Sequence, residues 1–359
     1  MANFKRYDVA GLLGFTPIAR VTDAEIWALL LTPHVRALLG DVVSVAGPVV
    51  SDSVHGFFPG DDVTNLNGHR LYGGLTSDHV RFPYVNVMYR TRYGALVIKR
   101  DLLKIKAMAW FGDVERGKAQ LIYSSALRDR RFDGTRRAND ISLIDFPYDE
   151  RLFNAPLPFG TSCEQSIYGF LPGSRITEIL GPEGEEYEKF VGNPFTFLDR
   201  PEVFLKYFQR AWNGGRSPGQ IGAVIPDVSK LIIQQFEKVA AKCGYDFIEN
   251  CSSHYHVARW TLSLGYRYTY EHDAVVLRAL TEGINRLKAS GRQFTRPQES
   301  WICVVQSLRP IELIPEGLYL GGPEWPQNNI DQKNLWMNKP LNEKAAALLP
   351  KPLVVDKAA

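Results

Sequence analysis

The chain has 359 residues, of which 45% are hydrophobic, 12% aromatic and 23% charged, and this globular composition excludes a wholly disordered chain, collagen and a pure coiled coil. The 42 basic and 39 acidic residues leave a formal net charge of +3, which is too small to imply a nucleic-acid partner. The four cysteines form no Cys-x-x-Cys pair, so neither a cysteine zinc site nor a disulfide scaffold is expected, and we expect no metal.

The N-terminal residues carry charges but no apolar stretch of the kind that a secretory signal needs. No run of residues approaches the roughly 20 apolar positions that cross a bilayer. We therefore expect no membrane partner, and a cytoplasmic location or a place within an intracellular or viral assembly.

Residues 1–83 are predicted to hold two short helices and a long loop. Thr22-Asp23-Ala24-Glu25 forms a capping box that starts the first helix, and Pro33 starts the second, which ends at Gly40. From residue 41 to 83 the chain is rich in Gly, Pro, Asp and Ser, which favours a loop.

Residues 84–146 are predicted to form an antiparallel sheet. Arg92-Tyr93-Gly94 is a hairpin signal between two apolar runs. The predicted strands are Tyr84–Tyr89, Ala95–Lys99, Leu103–Phe111, Gln120–Ser124 and Ile141–Phe146. Between the last two lies Arg128–Arg137, with five arginines, which suits a self-paired surface loop, a phosphate contact or a subunit interface.

Residues 147–220 contain many turn-forming residues and one predicted helix at about 201–212. The acidic run Glu183–Glu188 is most simply a solvated loop. After it, residues 201–310 are predicted to complete the α+β core that begins at residue 84.

Helices and strands alternate clearly between residues 226 and 310. A strongly amphipathic helix starts after Pro226-Asp227 and ends at Gly244. The later predicted elements are a strand Asp246–Asn250, a helix His254–Leu264, a strand Tyr266–Glu271, a helix Ala274–Ala289 and a strand Trp301–Ser307. The predicted fold is α+β, with a mixed, largely antiparallel sheet flanked by helices.

The last segment, 311–359, is rich in proline and contains Trp325 and Trp336. This composition predicts an extended arm. The arm either wraps its own domain or reaches another protein subunit.

The order of elements in residues 221–271 resembles the C-terminal half of the GNAT acyltransferase superfamily. In that family a strand leads through a pyrophosphate-binding loop into a helix, and a strand, a helix and another strand follow. Here Tyr245–Asn250 resembles the second strand. Val257–Tyr266 resembles the helix that closes with an apolar residue, Gly and an aromatic residue. The resemblance implies N-acyl transfer from acetyl-CoA or another acyl-CoA to an amine.

The family loop Q/R-x-x-G-x-G/A uses backbone amides to bind pyrophosphate. Its nearest match is Arg216–Ala223, which assigns cofactor binding to Arg216, Gly219, Gly222 and Ala223, although the second glycine comes one residue late. In a second alignment Ile221–Ile225 is the strand before the loop, and the loop itself is missing.

The family's tyrosine proton donor falls at Thr261, so the resemblance leaves nearby residues as substitutes. The candidate catalytic residues are Tyr255, His256, Tyr268 and Glu249. His254 and His256 could share a metal only on a strand, because on a helix they diverge by about 200°. At a helix start, such histidines usually cap or pack.

Two functions remain open at this point. The first is a GNAT-like N-acyltransferase, whose activity could be degenerate. The second is a non-catalytic structural or interaction component of a larger assembly, such as a viral or phage particle. The loop-rich 41–83, the Pro/Trp-rich tail and the many aromatic residues favour the second.

Overall fold

A computed structural model describes residues 21–43, 49–51, 85–100, 104–114, 116–129, 162–226, 228–268, 271–326, 335–347 and 349. The described chain is an α+β protein with a largely antiparallel sheet and flanking helices, which confirms the predicted fold class. It divides into two compact units. Unit 1 comprises the described residues within 1–172, 224–249 and 340–347, and unit 2 those within 173–223, 250–339 and 348–359.

Unit 1 begins with two short helices, as the sequence predicts. Helix α1 (Asp23–Glu25) continues as a π-helical turn (Ile26–Leu30), and α2 (Pro33–Leu39) follows. The capping box is present, because the Thr22 amide donates to Glu25 at 2.8 Å and the Glu25 amide donates to Thr22 Oγ1 at 3.2 Å. Thr32 is the N-cap of α2, because its Oγ1 accepts a hydrogen bond from the Val35 amide at 3.2 Å.

An antiparallel meander of strands forms the sheet of unit 1. Its members are β1 (Val49–Ser51), β2 (Val85–Thr91), β3 (Gly94–Arg100), β4 (Lys104–Asp113), β5 (Lys118–Asp129) and β6 (Ser162–Gly169), in that order. Strands β2 and β3 form the predicted hairpin, with Thr91 opposite Gly94. Met88, Val97, Met108 and Trp110 pack in one buried cluster on this sheet.

A parallel strand pair follows the meander. Helix α6 (Val228–Lys242) leads into β7 (Phe247–Ser252), which runs parallel to β6 over three residue pairs, Ser162 with Phe247 to Glu164 with Glu249. Ile232, Phe236, Val239 and Ala240 form the buried side of α6, as the amphipathic pattern predicts. The last three residues of β7 belong to unit 2.

Unit 2 is mainly helical. Its helices are α3 (Ile176–Leu180), α4 (Glu185–Gly192), α5 (Pro201–Asn213), α7 (Tyr255–Ser263), α8 (Glu271–Ala289) and α9 (Arg296–Val305). Phe190 of α4 is central to its core. The Phe190 ring stacks on Trp301 of α9 at a centroid distance of 5.4 Å and meets Phe204 of α5 edge to face at 5.2 Å.

The described part of the proline-rich tail packs on its own chain. Strand β9 (Leu335–Pro340) lies between β7 and the short strand β8 (Arg267–Tyr268), and α10 (Glu343–Ala346) follows it in unit 1. Trp325 is 1% exposed, and its indole Nε1 donates to the Ser253 carbonyl at 2.9 Å. Of the two alternatives for the arm, these residues therefore support the one in which it wraps its own domain.

The predicted strand Trp301–Ser307 is wrong, because these residues belong to helix α9 and the turn after it. Thr295 and Gln298 form a capping box at the start of α9, and Pro297 lies in its first turn. Every residue from Ser300 to Val305 is buried, so the run shows no helical periodicity in the sequence. A short, continuously apolar run cannot be assigned to a strand or a helix by periodicity alone.

The predicted solvated loop at Glu183–Glu188 is also wrong. The run forms the end of a 3₁₀ turn (Gly181–Gly184) and the first half of α4. Glu188 is buried, where it accepts hydrogen bonds from Arg175 and Thr177.

Several predictions lie outside the described residues. These are the strand Ile141–Phe146, most of the loop 41–83 and most of the arginine-rich segment Arg128–Arg137. Among the helices that the structure does describe, none has the length and apolar character needed to cross a membrane.

Candidate functional site

The start of helix α7 brings two imidazole rings together. His254 has extended backbone angles (φ −144°, ψ 157°), whereas His256 lies in the first helical turn. Because the backbone changes conformation between them, the rings lie nearly parallel, with a centroid distance of 5.9 Å and an interplanar angle of 8°. The two histidines therefore lie neither on one strand nor within one helix, because His254 is the residue before α7 and His256 is in its first turn.

His254 is enclosed by residues from two other segments of unit 2. Phe195 stacks at 6.3 Å from its ring centroid. On the imidazole edge, the backbone of Gly219 approaches so closely that a Cβ atom there would lie 3.0 Å from Cδ2 and 3.1 Å from Nε2. His254 is 6% exposed, and its buried Nδ1 has no hydrogen-bond partner among the described residues.

His256 is oriented by helix α9. Its Nδ1 shares a hydrogen bond of 2.9 Å with Oγ of Ser300, a residue that is fully buried. The Arg296 guanidinium donates to the His256 carbonyl at 3.1 Å. These two contacts fix both the ring and the first turn of α7.

Burial keeps both imidazoles neutral at pH 7. The pKa of His254 falls from its ordinary value of 6.5 to about 4, because the ring is removed from water. Burial lowers the pKa of His256 to about 3, with further contributions from His254 and Arg296. A base of such low pKa accepts protons poorly near neutrality, which does not favour His256 as a general base.

The candidate tyrosines are held in the interior of unit 2. The Tyr255 hydroxyl lies 3.1 Å from Thr281 Oγ1, and it accepts a hydrogen bond of the same length from Arg259. Burial raises the pKa of Tyr255 to about 12. Tyr268, in β8, is 3% exposed, and burial also raises its pKa, so both phenols stay protonated at neutral pH.

The fourth catalytic candidate, Glu249, is buried and belongs to unit 1, whereas Tyr255, His256 and Tyr268 belong to unit 2. Thr261, at the family's tyrosine position, is fully buried and donates to backbone carbonyls of its own helix at 3.0 Å.

The predicted pyrophosphate loop Arg216–Ala223 is a closed turn. Most of its backbone amides already donate within the protein: Ser217 to Gln220 Oε1, Gly219 to the Val191 carbonyl, Gln220 to the Ser217 carbonyl, Ile221 to the Gly219 carbonyl and Ala223 to Ser174 Oγ. The Arg216 guanidinium donates to the Gln220 carbonyl at 2.9 Å. These residues do not form the open row of amides that would cradle pyrophosphate. The alternative strand Ile221–Ile225 is reduced to a single bridge at Val224.

The structure thus brings together the predicted cofactor loop and the candidate catalytic residue His256, because Gly219 of the loop contacts His254, which lies beside His256. Sequence reasoning missed Ser300 and Phe195, which reach the pair from segments 44 and 59 residues away. Within the described ranges, no three His, Cys, Asp or Glu side chains are grouped to hold a metal ion.

No protein-family model, no curated protein and no solved structure matches the chain. The function is therefore inferred from the residues and topology of the chain itself.

Proposed function

We propose that the chain is a GNAT-like N-acyltransferase that moves an acyl group from acyl-CoA to an amine. The observation that carries the proposal is the order of elements around β7. A helix (α6), a strand (β7), a helix (α7) and a strand (β8) follow one another along the chain, and β7 pairs in parallel with the earlier strand β6. From α6 to β8 this order is the one that the resemblance of residues 221–271 implies, whereas the strand expected before α6 is reduced to the single bridge at Val224.

The chemistry would depend on positioning rather than on a strong base. An amine nitrogen attacks the thioester carbonyl, a C–N bond forms, the C–S bond breaks, and the CoA thiol leaves with the proton of the amine. Holding the two reactants together can contribute much of the rate enhancement. This suits a chain whose candidate histidines have low pKa values and whose candidate phenols are buried.

One observation favours the second candidate, a non-catalytic component of an assembly. The Arg216–Ala223 loop offers no open cradle for pyrophosphate, as its amides are occupied. A GNAT-like fold without a cofactor loop would serve as a scaffold, since one fold supports many functions.

Calorimetric titration of the full chain with acetyl-CoA separates the two candidates. The acyltransferase proposal expects saturable binding, a higher melting temperature with acetyl-CoA and release of CoA thiol when a panel of primary amines is added. Absence of both binding heat and thermal shift would remove it and leave the scaffold.

A pair of exposed alanines provides the matched control for the loop. Ala223→Asp places a negative charge in the loop, and Ala289→Asp places one at the end of α8. Because the loop is closed, both variants should bind acetyl-CoA as the unmodified chain does. Selective loss of binding in Ala223→Asp would show that the loop opens and holds the cofactor phosphates.

A further inference from the structure

Residues 317–320, here called the strap, lie within unit 2 against helix α8 and the end of α9. Gln306, directly after α9, is buried and binds the strap with both ends of its side-chain amide. Its Nε2 donates to the Leu318 carbonyl and its Oε1 accepts from the Leu320 amide, each at 2.9 Å. One residue of a neighbouring β-strand would bind the backbone of an extended segment in the same way.

Helix α8 and the chain after it supply a notch and two further backbone contacts. Gly283 of α8 faces Leu320 so closely that a Cβ atom there would lie 3.1 Å from two atoms of the leucine side chain. Arg286 donates to the Leu320 carbonyl at 3.2 Å, and Arg292 donates to the Gly317 carbonyl at 2.6 Å. These hydrogen bonds all act on the backbone of the strap.

The side chains of the strap alternate between buried and exposed. Leu318 and Leu320 are buried, whereas Tyr319 between them is 52% exposed. This period of two is that of an extended segment. An occupant therefore needs little more than an extended Leu-x-Leu sequence to make the same contacts.

The strap has few other attachments at its two ends. Residues 309–312, which connect α9 to it, are all exposed, and so are Gly321 and Gly322, which follow it. The ion pair between Arg309 and Glu324 closes the two ends, but both side chains are largely exposed, so the pair contributes little. The connecting residues can therefore change course without losing buried contacts.

We propose that the groove formed by Gly283, Arg286, Arg292 and Gln306 also receives the strap of a second copy of this chain, so that two copies bind by exchanging straps. A second copy is the occupant that the seated segment itself identifies, because it carries the same sequence and would make the same contacts.

The exchange follows from a balance of identical contacts. Each contact that one chain loses is regained in the other, so exchange is a low-cost route to a dimer. Within one chain the linked strap has the advantage of a high effective concentration, so exchange requires concentrated protein. The inference goes beyond acyl transfer and applies under either candidate function.

Mixing two variants of the full chain tests the exchange. Gly283→Leu fills the notch of one chain but leaves its strap intact, whereas Leu318→Ser/Leu320→Ser removes the anchors of the other but leaves its groove intact. Neither variant alone should dimerise, whereas an equimolar mixture should form heterodimers in size exclusion with light scattering. Tyr319→Ser, which changes only the exposed side chain, is the matched control and should dimerise as the unmodified chain does.

A fluorescent peptide of residues 315–322 gives a second measurement, which stands even if Gly283→Leu fails to fold. Fluorescence anisotropy should show that the Leu318→Ser/Leu320→Ser chain binds this peptide about tenfold more tightly than the unmodified chain does, because its own strap competes less. The same peptide with serine in place of both leucines should bind about tenfold more weakly, because the burial of two apolar side chains is lost.

Three outcomes overturn the proposal. The first is that the peptide does not bind the Leu318→Ser/Leu320→Ser chain. The second is that the mixture stays monomeric under conditions in which the unmodified chain dimerises, which would place the dimer contact elsewhere. The third is that the unmodified chain stays monomeric at millimolar concentration although the peptide binds, which would leave the groove to a Leu-x-Leu segment of a different protein.

Discussion

At the scale of single residues, Gly219 and His254 depend on each other. Gly219 has a φ of +82°, a backbone conformation that residues other than glycine adopt only at a cost in free energy. Because glycine has no Cβ, there is also room for the edge of the imidazole ring. The ring in turn fills the space against Phe195 and His256. The histidine pair therefore requires a glycine from a distant loop.

Replacing Gly219 by alanine tests this dependence. Gly215 directly precedes the loop, with φ of +63°, but has open space where its Cβ would be, so Gly215→Ala should cost only backbone strain, about 1 kcal/mol. Gly219→Ala should cost roughly 1–3 kcal/mol more, because the methyl group overpacks the His254 ring. Urea denaturation measures both, and equal costs would contradict the close contact.

In the double variant Gly219→Ala/His254→Ala the added methyl group meets a smaller neighbour. The double variant should therefore lose less free energy of unfolding than the sum of the losses in the two single variants.

Acid should destabilise the fold through the same histidines. Their pKa values are about 4 and 3 when folded and near 6.5 when unfolded, so the unfolded chain binds more protons as the pH falls below 6.5. The stability is fully present above pH 6.5 and declines toward pH 3, by up to about 1.4 kcal/mol per pH unit for each histidine. Arg296, which faces His256, strengthens the effect.

Urea denaturation between pH 7 and pH 4.5 measures this dependence. His254→Phe keeps an aromatic ring beside Phe195 and should flatten the pH dependence by about one proton. A His254→Phe variant with the slope of the unmodified chain would show that His254 titrates normally in the folded state.

At the scale of elements, the sequence predicts helices that have one apolar face and a visible cap. Helices α5, α6 and α7 were predicted within two residues of their observed ends, and α8 within three. Helix α9 was wrongly predicted as a strand, because every residue from Ser300 to Val305 is buried and the sequence shows no polar face there. The position of Ser300 beside His256 was therefore beyond prediction, since it depends on how α9 packs against α7.

Helix α4 offers a test of buried against exposed charge within one element. Glu188 is buried and accepts from Thr177 at 2.8 Å and 2.7 Å and from Arg175, so Glu188→Gln should lower the free energy of unfolding by about 2–3 kcal/mol. Glu185 is exposed, 3.9 Å from Lys189, and Glu185→Gln should have no measurable effect. Thermal unfolding compares them, and similar shifts would indicate that Glu188 is solvated.

At the scale of the whole molecule, the fold class followed from turn signals and periodicity, whereas the division into units did not. Unit 2 combines residues 173–223 with 250–339, and long-range packing such as that of Phe190 on Trp301 brings these segments together. The candidate site has the same origin. Gly219 and His254 are 35 residues apart, and the local sequence around neither residue predicts that the two are in contact.

Because the two units interleave along the chain, no start and stop codon can delimit either one. The polypeptide passes from one unit to the other near residues 172, 223, 249, 339 and 347. A gene truncated after residue 172 or 249 would encode neither unit in full, and truncation after 249 would leave Phe190 without Trp301, on which its ring stacks. Neither unit can therefore complete its folding before the residues that follow 339 have been synthesised.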